Sequence, residues 1–220
     1  MDIYELYVTL EKLCKKPLNM KNLIYLLFLI SFSAISQSKE LYDLAFLKKE
    51  NFELLKIMDD KIPKKFLIID STIVWQPKTF YLENIDLKDP KVIEEINKEE
   101  YHYYHSLYLF TDKTLDLLIE DNEKKKLSEK ANLISSKKIQ IQGSNYNSIK
   151  KFDKKGFYFL VSEPLYSTNE KFAFLYIVAK RKSIFLDEDW DEYFATFTIM
   201  FQKSDNEKWE QIGIKKHFIQ

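Results

Sequence analysis

Arginine is almost missing from this chain. Of its 34 basic residues only Arg181 carries a guanidinium, and the rest are lysines. Bidentate recognition of phosphates and base edges favours arginine, whose planar fork matches those groups. The bias therefore argues against a nucleic-acid-reading protein, and an AT-rich genome accounts for it. Glycine is equally scarce, at Gly143, Gly156 and Gly213 only. Phosphate-cradling loops need clustered glycines so that the backbone can approach the ligand, which excludes Walker-type and dinucleotide-binding sites. There is no G-x-S-x-G nucleophile elbow either. The single cysteine, Cys14, excludes a disulfide framework, so the fold rests on its own core. Formal net charge is zero, and no overall field draws the chain to nucleic acid or to an anionic membrane.

What remains has the composition of a globular protein. The 220 residues are 45% hydrophobic and 31% charged, suited to one ordinary domain. Residues 20–36, MKNLIYLLFLISFSAIS, read as a signal peptide. Lys21 supplies the positive start, residues 23–30 are a solid apolar run, and Ala34 and Ser36 are the small residues that precede a cleavage site. The apolar stretch falls short of the ~20 residues of a spanning helix. Cleavage would leave Gln37 at the N-terminus of a cysteine-free mature chain, secreted or periplasmic, and no cysteine follows the apolar run to make a lipoprotein. If the segment stays uncleaved, the protein is tethered to the membrane. Residues 1–19 form an extended leader, with translation expected to start at Met20. Residues 37–220 then make one domain.

Hydrophobic periodicity outlines an α+β domain. Residues 39–49 read as a helix with Leu41, Leu44 and Phe46 inward. Residues 64–75 read as a strand between Pro63 and Pro77. A helix is expected from Asp89, with Pro90 at its first position. Residues 101–110 favour a strand, followed by a short helix holding Leu115, Leu118 and Ile119. A further helix over residues 122–134 carries Leu127, Ala131 and Ile134 on one stripe. Residues 142–156, QGSNYNSIKKFDKKG, read as a flexible loop.

The last third reads as an antiparallel meander. GFYFLVSEPLY is a strand broken at Pro164, and KFAFLYIVAKR is apolar on both faces, as a covered central strand should be. DEYFATFTIMFQ alternates, with Tyr193, Ala195, Phe197, Ile199 and Phe201 on one face and Thr196 and Thr198 on the other. SDNE is a turn, and the final strand is expected to face Ile212, Ile214 and Phe218 to the core. The expected fold is an antiparallel sheet packed with a few helices from the N-terminal half.

The run FLVSEPLYSTNEKFAFLYIVAK, with the later NEKWEQIGIKKHFI, resembles the C-terminal half of a group of uncharacterised exported bacterial proteins. Those carry a Ser-x-Pro-hydrophobic-Phe/Tyr turn, a strand rich in Ala and aromatics, and a final Gly-Lys-Trp hairpin. The likeness covers residues 157–219 and implies architecture and export but no activity. In many members a Gly/Cys-rich loop joins the two central strands, whereas here RKSIFLDEDWDE has neither residue type.

Candidate sites are few. EEYHYYHS holds His102 and His105 beside Glu99 and Glu100. On a helix, residues three apart share a face and can chelate a metal, but on the strand expected here they point to opposite faces. With His217 the only other histidine, no metal is expected. LDEDWDE places Asp187, Asp189 and Asp191 at the spacing of the first ligands of a calcium loop. The required Gly and Glu are replaced by Glu192 and Thr198, so the match fails and a solvated acidic loop is the plainer account. Trp190 inside that loop is a candidate sugar-stacking residue, with Asp187, Asp189 and Asp191 accepting hydroxyl protons, against the plainer reading of an indole folded back on the sheet. Trp75 and Trp209 belong to the core or sheet edge. Carboxylate pairs at Asp59–Asp60, Glu94–Glu95 and Glu99–Glu100 and lysine runs such as NEKKKLSEK read as solvated helix faces.

The expectation is an exported, non-enzymatic domain that binds a protein or envelope component, with no cofactor and no nucleic-acid partner. A hydrolase or glycan-active protein working through carboxylates and Trp190 is the alternative.

Overall fold

In a computed structural model, the structure describes residues 38–57, 61–75, 115, 117–185 and 188–218; for residues 121, 183–185, 188–192, 217 and 218 it describes the backbone. The chain divides into two units, Met1–Lys39 and Glu40–Gln220, and the architecture below is that of the second. The signal segment, the expected helix from Asp89, the expected strand at 101–110 and the three carboxylate pairs lie outside the described residues.

Helix α1 (residues 38–47) runs into a 3-10 segment, Lys49–Ile57. Strand β1 (Phe66–Ile73) precedes helix α2 (Asp121–Leu133). The rest is β2 (Tyr146–Ile149), β3 (Gly156–Ser162), β4 (Leu165–Tyr166), β5 (Phe172–Phe185), β6 (Glu188–Lys203) and β7 (Trp209–Phe218). Together they form one seven-stranded sheet in the order β2-β1-β3-β5-β6-β7, with β4 also on β5. The class is α+β, but the sheet is mixed. From β3 to β7 every pairing is antiparallel, as expected, whereas β1 pairs parallel with both β2 and β3. An all-antiparallel sheet is therefore incorrect: β1 docks between two strands that arrive some 70 residues or more later in the chain, and it runs parallel to both.

The sheet is covered on both faces. One cluster holds Leu41, Tyr42, Ala45 and Phe46 of α1 with Phe52 and Leu55, packed on Phe66, Ile68, Phe159, Leu175, Ile177, Phe197 and Phe201. Phe52 is its knot: its ring lies 4.6 Å from Phe66, 5.1 Å from Phe197, 5.3 Å from Phe46 and 5.6 Å from Phe159. On the other face Leu127 and Ala131 of α2 pack with Trp75, Ile119, Phe174, Tyr176, Val178 and Met200. Strand β5 is thus buried on both sides from Ala173 to Ala179, which explains its unbroken apolar run. Asn51 is buried and closes α1 by donating to the Ala45 carbonyl at 2.9 Å, while its amide exchanges hydrogen bonds with Gln211 of β7 at 2.8 and 3.0 Å.

Two bulges correct the expected alternation. Ala179 faces Ala195 and Lys180 faces Tyr193, so Phe194 is an extra residue. It turns inward onto Phe157 at 5.0 Å, and Tyr193 is left 52% exposed. Met200 faces Gly213 and Phe201 faces Gln211, so Ile212 is extra too. Ile212 and Ile214 therefore pack against opposite faces rather than one. The supposed loop at 142–156 also needs correction, because it contains β2. Tyr146 is buried there and donates to Asp43 of α1 at 2.8 Å. Gly143 allows this: a Cβ on it would stand 2.3 Å from the Tyr146 ring.

Candidate anion-binding cleft

The parallel pairing of β1 with β3 has a direct chemical consequence. Parallel strands begin at the same end of a sheet, so the segments that lead into them are brought together. The segment before β1 is KIPKK (residues 61–65) and the segment before β3 is KKFDKK (residues 150–155). They hold seven lysines and one carboxylate, Asp153. Had β1 and β3 been antiparallel, the two groups would sit at opposite ends of the sheet.

Between these segments lies a cleft of about 520 Å³. Lys61, Lys65, Lys154 and Lys155 line it, over walls of Pro63, Leu67, Phe152 and Phe157 with Gly156. All four lysines are exposed. Among the described residues no carboxylate lines the cleft, and none of its lysines is held in an ion pair. Phe152 is stacked on Tyr158, centroids 5.0 Å apart and planes 27° from parallel, and its carbonyl accepts from the buried Lys182 ammonium at 3.5 Å. The cleft wall is thereby fastened to β5. Gly156 supplies the turn out of this segment with φ at +126°, a region closed to residues with a side chain.

The neighbouring basic run on β5 is arranged differently. Lys182 stands in register with Asp191 and Arg181 with Glu192, so this cationic stretch faces an acidic one across the β5–β6 ladder. Lys180 places its ammonium 4.0 Å from the centre of the Tyr193 ring. The cleft lysines have no such opposite strand of acids among the described residues.

The residues singled out from sequence fare unevenly. His102, His105 and Asp187 lie outside the described residues, and so do the side chains of Asp189, Trp190 and Asp191. The backbone of the last three is not a loop: Asp189, Trp190 and Asp191 are paired in β6 with Ile184, Ser183 and Lys182. Among the described residues no group of three or more His, Cys, Asp or Glu side chains is placed to hold a metal, and no helix is long and apolar enough to cross a membrane. Trp75 and Trp209 are buried, as expected, and the Trp75 indole donates to the Glu163 carbonyl at 3.1 Å. Sequence reasoning missed the cleft. Its signal was present as two lysine-rich segments each directly before a strand, but their meeting depends on a parallel pairing that periodicity does not reveal.

Buried tyrosines are the groups whose acidity the fold changes most. Burial pushes Tyr176 up to about 12, against a lowering by the nearby Thr196 hydroxyl and with a smaller push from Tyr193. Tyr42 and Tyr146 are pushed up further, again chiefly by burial, with the Asp43 carboxylate holding the Tyr146 proton in place. None of them lines the cleft.

Compared with protein-family models, with curated proteins and with solved structures, the chain matches none.

Proposed function

We propose that this chain is an exported, non-enzymatic binding domain that takes an anionic ligand in the lysine-lined cleft. The observation that carries the reading is the meeting of residues 61–65 and 150–155 in a chain of zero net charge. Seven lysines meet at one end of the sheet, and at that same end Lys182 and Arg181 of β5 stand in register with Asp191 and Glu192 of β6. The cleft is shallow and open, and like charges gathered beside its partly apolar walls raise the local potential felt by a counter-ion. Its volume lies within the ~300–1,000 Å³ usual for ligand sites. Export rests on the signal-like residues 20–36, and the mass of the N-terminal peptide in fractionated cells tests it.

The binding reading is tested by acetylating lysines on the folded protein, with and without pyrophosphate at low ionic strength, and mapping the modified sites by mass spectrometry. Protection is expected at Lys61, Lys65, Lys154 and Lys155. Protection spread evenly over exposed lysines far from the cleft, such as Lys125 and Lys208, would overturn it.

A further inference from the structure

Resting on the reading of the cleft as an anion site, we infer that its ligand is a linear polyanion carrying repeated carboxylate or phosphate groups, and not a single small anion. Three features lead there. The cleft lysines are exposed, and each exposed ion pair contributes only ~0.2–1 kcal/mol. One anion engaging one or two of them is held weakly; useful affinity comes from several groups engaging together on one chain. The charge also continues past the cleft. Lys150 and Lys151, both exposed, directly precede the lining residue Phe152, so that a ligand longer than the cleft meets further ammonium groups on that side. Finally, the donors are lysines. An ammonium on a flexible stem is a point charge with no fork to match, and it accepts carboxylate and phosphate alike.

The same features set aside two other polyanionic surfaces. Single-stranded nucleic acid is held by aromatic faces that stack on bases, with arginine assisting. Of the two aromatic residues that line the cleft, Phe157 is buried and Phe152 is half-buried and stacked on Tyr158, and no arginine is among the lining residues. An anionic bilayer is met by exposed apolar side chains beside the basic ones. Among the described residues the exposed apolar side chains, such as Leu47, Ile57, Leu117 and Leu133, are not part of the cleft. A soluble acidic polysaccharide or a polyphosphate chain satisfies both conditions.

The test is calorimetric titration of the full chain with four probes: polygalacturonate, long-chain polyphosphate, and their monomers galacturonate and orthophosphate. At least one polymer is expected to bind more than about tenfold tighter per anionic group than its monomer. The logarithm of its affinity should fall linearly with that of the salt concentration. Which polymer binds distinguishes a carboxylate from a phosphate source. Replacing Lys61, Lys65, Lys154 and Lys155 together by Gln should weaken the polymer roughly 30-fold and flatten the salt slope. Replacing Lys48, Lys125, Lys126 and Lys208 by Gln removes the same charge elsewhere and should change affinity less than about threefold. Equal affinity of monomer and polymer per group, with pyrophosphate protection intact, would overturn the polyanion inference and leave the anion site standing. Equal loss in both quadruple variants would overturn the site itself. Oligothymidylate binding tighter than either polymer would overturn the inference in favour of nucleic acid.

Discussion

The sheet has two halves built by different means. From β3 to β7 every pairing is antiparallel: β4–β5, β5–β6 and β6–β7 are closed by short turns, and β3 pairs with β5 across the short segment that carries β4, so the register follows from the chain folding back on itself. From β2 through β1 to β3 the strands are parallel, and none of these pairings is enforced by a turn. What holds β1 in place is the aromatic cluster beneath it and the tie between Tyr146 and Asp43. Hairpins are stabilised by local closure, whereas parallel pairs depend on side chains that meet from distant parts of the sequence. The lysine cleft sits in the second half, so its geometry is only as firm as that packing.

The sharpest way to break this contrast is at Phe52. Its ring touches β1, β3 and β6 together, and truncation to Ala leaves a cavity among the rings of Phe46, Phe66, Phe159 and Phe197. Phe52→Ala should cost about 3–5 kcal/mol, read as a lowered urea midpoint. Hydrogen exchange should show amides of β1 and β2 losing protection before those of β5 and β6, since the hairpins keep their turns. Uniform loss across the sheet would mean that the two halves do not differ in this way.

Alkaline pH tests both halves at once. Tyr176 belongs to the antiparallel half, and Tyr42 and Tyr146 to the packing around β1 and β2. All three have folded-state pKa values raised above the ordinary 10.0. Their stabilisation is fully present below pH 10.0 and is lost as pH rises toward and through the folded value, which for Tyr176 is about 12. Tyr176 alone accounts for on the order of 2–3 kcal/mol across that window. Because pH 11 lies midway through that window, stabilities from urea unfolding at about pH 8 and about pH 11 should differ by about half that amount for Tyr176, and Tyr176→Phe should reduce the difference.

Much of the antiparallel half was legible in the sequence because its signals are local. The buried run of β5, the break at Pro164 and the turn at Ser204 each follow from a few adjacent residues. The helices at 38–47 and 121–133 were legible too, from the stripes of Leu41 with Phe46 and of Leu127 with Ala131. The bulges at Phe194 and Ile212 were not, since one extra residue reverses every later side chain without changing the apolar count. Strand β2 was hidden because only Tyr146 of its four residues is buried. The cleft was hidden for a stronger reason: its two segments are polar, lie about 90 residues apart, and become one site only through β1 and β3.

Glycine scarcity leaves a mark on the hairpin half that sharpens the contrast. Glu170, in the turn between β4 and β5, has φ +54°, and Glu207, between β6 and β7, has φ +61°. A side chain in this left-handed region costs ~1–2 kcal/mol that glycine avoids. Glu170 is exposed, and the turn hydrogen bond from its N–H to the Ser167 carbonyl, 3.0 Å, does not involve its side chain. Glu170→Gly should therefore stabilise the protein by about 1 kcal/mol, raising the thermal midpoint by a few degrees. The turn drives its hairpin in spite of this strain, which shows how far local closure suffices in that half.

The smallest effect expected is the most informative about the cleft. Lys61, Lys65, Lys154 and Lys155 are exposed and make no ion pair with a described residue, and close like charges oppose folding. Replacing all four by Gln should leave the urea midpoint within about 0.5 kcal/mol of its starting value, or raise it slightly. A clear loss of stability would mean that these side chains hold the parallel half together, and that their clustering serves the fold. An unchanged or raised midpoint means that like charges are gathered where the structure derives no benefit from them. Charge placed at a cost to the fold calls for an explanation outside the fold, and a bound anion supplies one.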